Sequence, residues 1–171
     1  MSASAGHRLD TWIRHATPFA ITLLLTLVAL VPLHVPGLVR ITPMLTLIAI
    51  YHWAVLRPDL LPAWSVFFIG VLQDTLTGTP IGVSAVIFLS IYAGIGAQRR
   101  FLLGKSFAVL WLGFAVVSFT ASLAGWALVS LYHLSLIDAR AIAFQYMLTL
   151  GVFPFLSWAF LRWHQRVLKE V

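Results

Sequence analysis

The fold is decided around the stretch Gly70-Val71-Leu72-Gln73-Asp74-Thr75-Leu76-Thr77-Gly78-Thr79-Pro80-Ile81-Gly82. Apolar segments lie on both sides of its turn, at residues 60–76 and 81–97, and only the four residues 77–80 separate them. Glycine allows positive φ in a turn, and proline can begin a helix because its missing N–H is not needed there. The stretch therefore predicts a tight antiparallel hairpin of two helices.

The same apolar character extends along nearly the whole chain. Of its 171 residues, 61% are hydrophobic and 9% are charged, whereas an ordinary soluble domain has about 25% charged residues. A helix that crosses a bilayer needs about 20 mostly apolar residues. Proline, glycine and charge divide the sequence into six apolar segments, at 17–33, 42–56, 60–76, 81–97, 106–132 and 141–161. We therefore expect an all-α polytopic membrane bundle, one domain over residues 1–171, with an uncleaved first span.

Basic residues are distributed unevenly between the two sides of such a bundle. With six spans and a cytoplasmic N-terminus, only Arg40 and Arg140 lie outside. The cytoplasmic side has Arg8, Arg14, Arg57, Arg99, Arg100, Lys105, Arg162, Arg166 and Lys169. Basic residues concentrate in cytoplasmic loops of membrane proteins, so both termini are predicted to be cytoplasmic. The segment Arg57-Pro58-Asp59 is then a cytoplasmic loop.

Three of these cytoplasmic cations, Arg99, Arg100 and Lys105, are predicted to be anchors at the membrane surface. The net charge of +6 would suit nucleic acid in a soluble protein. In a membrane protein the basic loops explain it better, so we expect contact with membrane lipid and no nucleic acid.

The residue types needed for catalysis are scarce. Cysteine is absent, which excludes disulfides, thiolate zinc sites and cysteine nucleophiles. Only five residues are acidic, and the six histidines include no i, i+4 pair that could hold a metal. Gly104-Lys105-Ser106 resembles the end of a phosphate-binding loop, but position 99 is arginine where the leading glycine should be. We therefore expect no catalytic residue, no metal site and no cofactor.

Asp74 is the polar residue that calls for an explanation. A carboxylate at membrane depth costs roughly a few kcal/mol unless it is paired, hydrated or protonated. It could stabilise the hairpin by accepting hydrogen bonds from threonines or backbone N–H groups, face a partner protein, or take part in proton or ligand chemistry. Arg40 or Arg140 is the cation best placed to pair with it. The candidate structural or partner-binding hairpin consists of Gly70, Asp74, Gly78, Pro80 and Gly82.

This hairpin resembles the rod-shape-determining protein MreD family. The family stretch has an aromatic pair, a short loop, and then glycine or aspartate at every fourth position before an apolar helix. Here Tyr51-His52-Trp53 precedes the loop, and Gly70, Asp74, Gly78 and Gly82 have that spacing. The resemblance implies a non-enzymatic inner-membrane component of the bacterial wall-elongation machinery. It also implies MreC as a direct partner, with MreB, RodA and a class B penicillin-binding protein in the wider complex.

Three functional classes stay open at the level of sequence. The first is an assembly scaffold, which the resemblance favours. The second is a small-molecule binding or transport subunit, because MreD-type proteins are similar to the substrate-binding subunits of vitamin-uptake (ECF-type) transporters. That function requires a polar pocket open to the outside. The third is a membrane enzyme acting on lipid-linked substrates, which the scarcity of acidic residues disfavours.

Overall fold

The computed structural model describes residues 17–30, 42–135 and 139–167, and in these ranges the chain forms six α-helices and no β-strand. A short 3-10 helix, Pro58–Leu60, lies between the second and third. The helices are α1 Thr17–Ala29, α2 Leu45–Leu56, α3 Ala63–Thr77, α4 Val83–Leu102, α5 Phe107–His133 and α6 Ala139–Val167. The all-α class and the six helices agree with the sequence prediction.

Several helix boundaries differ from the predicted ones. Helix α3 begins at Ala63 rather than at residue 60, because Pro62 disfavours helical geometry in the residue before it, and Leu61 has non-helical angles (φ −127°, ψ 82°). Helix α4 continues to Leu102 instead of ending at residue 97. The prediction followed apolar character alone, whereas arginine and glutamine are good helix formers. The predicted end of the first segment, residues 31–33, lies outside the described residues.

Helix α2 forms the centre of the bundle. All ten residues from 46 to 55 are buried, as expected for a helix that is apolar on every face. Its neighbours include α4, α5 and α6, and the rings of Phe114 and Phe153 lie 5.3 and 5.9 Å from the ring of Tyr51. The hydroxyl of Thr46 donates to that of Thr26 in α1 at 3.1 Å. Because neighbouring helices surround it, α2 contributes almost nothing to the outer surface.

Large apolar side chains cover the outside of the bundle instead. Exposed examples occur on five helices and include Leu24, Phe68, Val86, Phe119 and Phe155. Helix α5 and the part of α6 from Ala139 to Phe160 are long and apolar enough to cross a membrane. Contiguous exposed apolar surface of this kind marks contact with membrane or with another protein.

The two ends of the bundle differ in character. Helices α3 and α4 turn back on each other at residues 78–82, and this is the hairpin end. At the opposite end, Arg57 follows α2, Arg99 and Arg100 lie in the last turn of α4, and Lys105 precedes α5. We call this the basic end.

Candidate functional site

The Asp74 carboxylate is the centre of the hairpin end. Its side chain is fully buried, near the end of α3, and it accepts hydrogen bonds with both oxygens. The Thr79 hydroxyl donates to Oδ1 at 2.9 Å, and the Gly82 N–H donates to Oδ2 at 2.8 Å. The Ser84 N–H lies 3.0 and 3.1 Å from Oδ1 and Oδ2. Three donors from the turn and the start of α4 therefore converge on one carboxylate.

These contacts make Asp74 an N-terminal cap supplied by the preceding helix. The first N–H groups of a helix have no partner within it, and a carboxylate there is favoured by the helix dipole. Gly82, which immediately precedes α4, has no side chain that could act as a cap. Asp74 supplies the missing acceptor and ties the two helices of the hairpin together.

The glycines of the motif each meet a separate geometric requirement. Gly70 faces Ala85 so closely that a Cβ placed on it would lie 2.4 Å from the Cα of Ala85. Gly78 ends α3 with φ of 73°, and Gly82 precedes α4 with φ of 103°. Both angles lie in the left-handed region, which glycine adopts without steric cost. The four motif residues, spaced four apart, thus have different roles. Gly70 makes a close helix contact, Asp74 is a cap, and the other two are glycines at turn positions.

The hydroxyls of the turn extend the network around Asp74. Thr77 and Thr79 share a hydrogen bond of 2.9 Å between their hydroxyls, and the Thr77 hydroxyl also contacts the Gln73 carbonyl at 2.8 Å. Pro80 accepts from the Val83 N–H at 3.2 Å. Of the cations expected near Asp74, Arg140 is exposed in the first turn of α6, and Arg40 lies outside the described residues.

A small cavity of about 180 Å³, lined by both polar and apolar residues, lies beside this network. Its polar lining includes Thr26, Thr46, Gln73 and Gln145, and Asp74 does not line it. The Gln73 Oε1 atom is shielded from solvent and has no hydrogen-bond partner in the described part of the chain. Pockets for small organic ligands usually measure about 300–1,000 Å³, so this cavity is smaller than most of them.

The basic end has a second polar network that the sequence did not suggest. The Arg99 guanidinium donates to the carbonyls of Val55 and Leu56, at 3.0 and 3.2 Å. These carbonyls end α2, where a cation is favoured by the helix dipole. The Tyr92 hydroxyl donates to the Pro58 carbonyl at 3.2 Å. Helix α4 therefore holds the loop that follows α2.

The other predicted residues of the basic end occupy separate positions. Arg57 and Asp59 form an ion pair of 3.4 Å within their loop. Arg100 is exposed, and the Lys105 ammonium lies 5.3 Å from the centre of the Phe101 ring. Arg99, predicted to be a membrane-surface anchor along with Arg100 and Lys105, also caps the end of α2. A guanidinium bonded to helix carbonyls could not be distinguished from a surface anchor by sequence alone.

Within the described ranges, no group of three or more histidine, cysteine, aspartate or glutamate residues could hold a metal ion. His52 is buried in α2, with its ring 4.7 Å from that of Phe160. The two networks described above are thus made of hydrogen bonds between helices.

Comparison with known families agrees with the motif at the hairpin end. A family model described as rod shape-determining protein MreD matches residues 10–162, which is most of the chain. The chain belongs to the MreD family. Membership in this family supports a part in rod shape determination, as a structural component associated with a membrane.

The individual relative below says less about function than the family does. An uncharacterized protein of Rickettsia prowazekii (strain Madrid E) is 31% identical to this MreD family member over 75 residues. The match covers 44% of the chain and 42% of that protein, so the chain spans less than half of the relative's length. No solved structure matches the chain.

Proposed function

We propose that this MreD family member is a non-enzymatic scaffold of the bacterial wall-elongation complex and that MreC is its direct partner. MreB, RodA and a class B penicillin-binding protein belong to the wider assembly in this proposal. The observation that carries it is the hairpin end, in a chain of the MreD family. Both oxygens of Asp74 are used to fix α3 against α4, which suits a rigid surface for protein contact.

The proposed setting is the bacterial inner membrane, crossed six times with both termini in the cytoplasm. The positions of the cations support this orientation. The described basic residues Arg57, Arg99, Arg100 and Lys105 share one end of the bundle. Cytoplasmic loops carry such excess positive charge, so the basic end is cytoplasmic and the hairpin end is periplasmic in this proposal.

A small-molecule binding function is the second candidate, and the cavity beside the hairpin favours it. The cavity offers threonine hydroxyls, glutamine amides and the unpaired Oε1 of Gln73. Its volume of about 180 Å³ admits only a ligand smaller than most that occupy such pockets. The scaffold is the better supported of the two, because the Asp74 carboxylate is already fully hydrogen-bonded within the hairpin.

The deciding experiment is recovery of partners from native membranes. The full-length tagged protein is purified in mild detergent, and the co-purifying proteins and small molecules are identified by mass spectrometry. The scaffold proposal predicts MreC in the sample, with lower recovery for Asp74→Ala at equal amounts of bait. Thr75→Ala is the control, because Thr75 is exposed and, within the described residues, its hydroxyl hydrogen-bonds only to the Leu72 carbonyl of its own helix.

Two results would contradict the scaffold. One is a sample that contains no wall-synthesis protein but does contain a stoichiometric small molecule, which would establish the ligand-binding function instead. The other is normal recovery of MreC and normal cell shape with Asp74→Ala, which would show that the hairpin network does not support the contact.

A further inference from the structure

A second cavity, of about 220 Å³, lies at the basic end of the bundle. Helices α2, α5 and α6 and the loop between α4 and α5 enclose it. Its lining residues are Tyr51, His52, Val55, Leu56, Lys105, Phe107, Leu110, Phe153 and Ser157. Most of this lining is apolar, none of it is acidic, and the only formal charge is the ammonium of Lys105.

Lys105 gives the cavity a positively charged opening. The side chain is exposed, and its ammonium lies against the ring of Phe101, which has no formal charge. Among the residues that the structure describes, Lys105 has no ion-pair partner. Its N–H donors are therefore available to an anion that enters from the membrane surface.

The start of α5 adds backbone donors to the same opening. Helix α5 has 27 residues, and Ser106, which precedes it, makes no side-chain cap hydrogen bond. The first N–H groups of such a helix carry partial positive charge and bind phosphate or carboxylate groups readily. Phe107, the first residue of α5, lines the cavity together with Lys105, so the start of α5 lies at the cavity.

Ser157 is an independent sign that the cavity receives a polar group. It lines the cavity and is only 6% exposed, yet its hydroxyl makes no hydrogen bond within the described parts of the chain. Two other buried serines, Ser118 and Ser122, each donate to the carbonyl four residues earlier at 2.8 Å. Because Ser157 lines the cavity, a ligand oxygen bound there would accept a hydrogen bond from this hydroxyl.

We propose that this cavity binds the phosphate group of an anionic phospholipid. The phosphate lies between Lys105 and the start of α5, the Ser157 hydroxyl donates to a ligand oxygen, and the apolar part of the lipid contacts Leu110 and Phe153. Free phosphate has the same charged chemistry but cannot use the apolar wall. This inference requires the basic end to lie at a membrane surface, and it does not depend on MreC.

The test is native mass spectrometry of the full-length protein in detergent, titrated in separate arms with phosphatidylglycerol, phosphatidylcholine and inorganic phosphate. Phosphatidylglycerol is expected to bind most tightly. Lys105→Gln removes a charged donor and is expected to weaken that binding about tenfold, and Ser157→Ala about fivefold. Stronger binding of inorganic phosphate than of phosphatidylglycerol, with the same loss in both variants, would support the anion site and identify its ligand as free phosphate.

Matched controls separate a defined site from general attraction between a basic surface and an acidic lipid. Arg100→Gln removes an exposed cation from the same end that does not line the cavity, and Ser118→Ala removes a buried hydroxyl already bonded within α5. Both are expected to bind phosphatidylglycerol like the wild type. Equal losses in Lys105→Gln and Arg100→Gln, or equal binding of phosphatidylcholine and phosphatidylglycerol, would overturn the proposal.

Discussion

Replacing Asp74 with alanine removes the acceptor that joins α3 to α4. The change leaves the N–H groups of Gly82 and Ser84 without the carboxylate, while the Thr79 hydroxyl keeps its contact with Thr77. A buried donor left without a partner costs about 1–3 kcal/mol. The two N–H groups together would lose about 2–6 kcal/mol, and removing the buried charge of the carboxylate offsets part of that cost. We therefore expect Asp74→Ala to lower the free energy of unfolding by about 3 kcal/mol.

Asp74→Asn refines this prediction, because it keeps one acceptor oxygen. Hydrogen bonds to an ionised group are roughly twice as strong as neutral ones, so the asparagine variant should lose about half as much, roughly 1.5 kcal/mol. For a chain of this length a loss of 3 kcal/mol corresponds to a fall in Tm of roughly 10 °C. The measurement is thermal unfolding of the three proteins in one detergent, followed by circular dichroism.

Thr75→Ala is the control for this series, since the exposed Thr75 hydroxyl contacts only its own helix. Its free energy of unfolding should change by no more than about 0.5 kcal/mol. If Asp74→Ala unfolds at the same temperature as Thr75→Ala, the carboxylate does not hold the hairpin together. If Asp74→Asn is less stable than Asp74→Ala, the reasoning from acceptor number and charge is wrong.

Two further substitutions test the contacts between helices by thermal unfolding. Gly70→Ala should lower the free energy of unfolding by about 1–3 kcal/mol, because the new methyl group meets the backbone of Ala85. Gly94 faces open space, so Gly94→Ala should leave that free energy unchanged or raise it by up to about 1 kcal/mol. Equal effects of the two substitutions would refute the close contact. Arg99→Met should lower the free energy of unfolding by about 1–2 kcal/mol, because it removes the donors to the carbonyls at the end of α2. A similar loss for Arg100→Met would mean that surface charge, and not these hydrogen bonds, determines the effect.

The hairpin could be predicted because its determinants are local in sequence. Glycine and proline at the turn and apolar segments on both sides define two antiparallel helices without knowledge of the rest of the chain. The partners of Asp74 are also local, since Thr79, Gly82 and Ser84 all lie within ten residues of it. Sequence could nevertheless not choose among the three roles considered for the carboxylate, because that choice depends on its orientation.

Features that depend on long-range packing could not be predicted. Arg99 binds carbonyls more than 40 residues away in the sequence, and nothing in its own neighbourhood indicates that contact. The cavity lined by Lys105 and Ser157 depends on how α2, α5 and α6 converge, which apolar periodicity does not specify. Helix ends were misplaced where polar residues such as Gln98 continue α4 beyond its apolar part.

The burial of α2 has a consequence for how the protein is assembled. In the proposed topology, α2 has 12 residues and is about 18 Å long, against a hydrocarbon core of about 30 Å. Its neighbours α4, α5 and α6 are synthesised after it, so the growing chain holds α2 without its surroundings until translation nears the end. The contacts of Tyr51 with Leu110 and of Arg99 with Val55 then form in the order in which those helices enter the membrane. Truncation before α6 would therefore uncover the side of the central helix that faces α6, and in a cell such a fragment would be a substrate for membrane quality control.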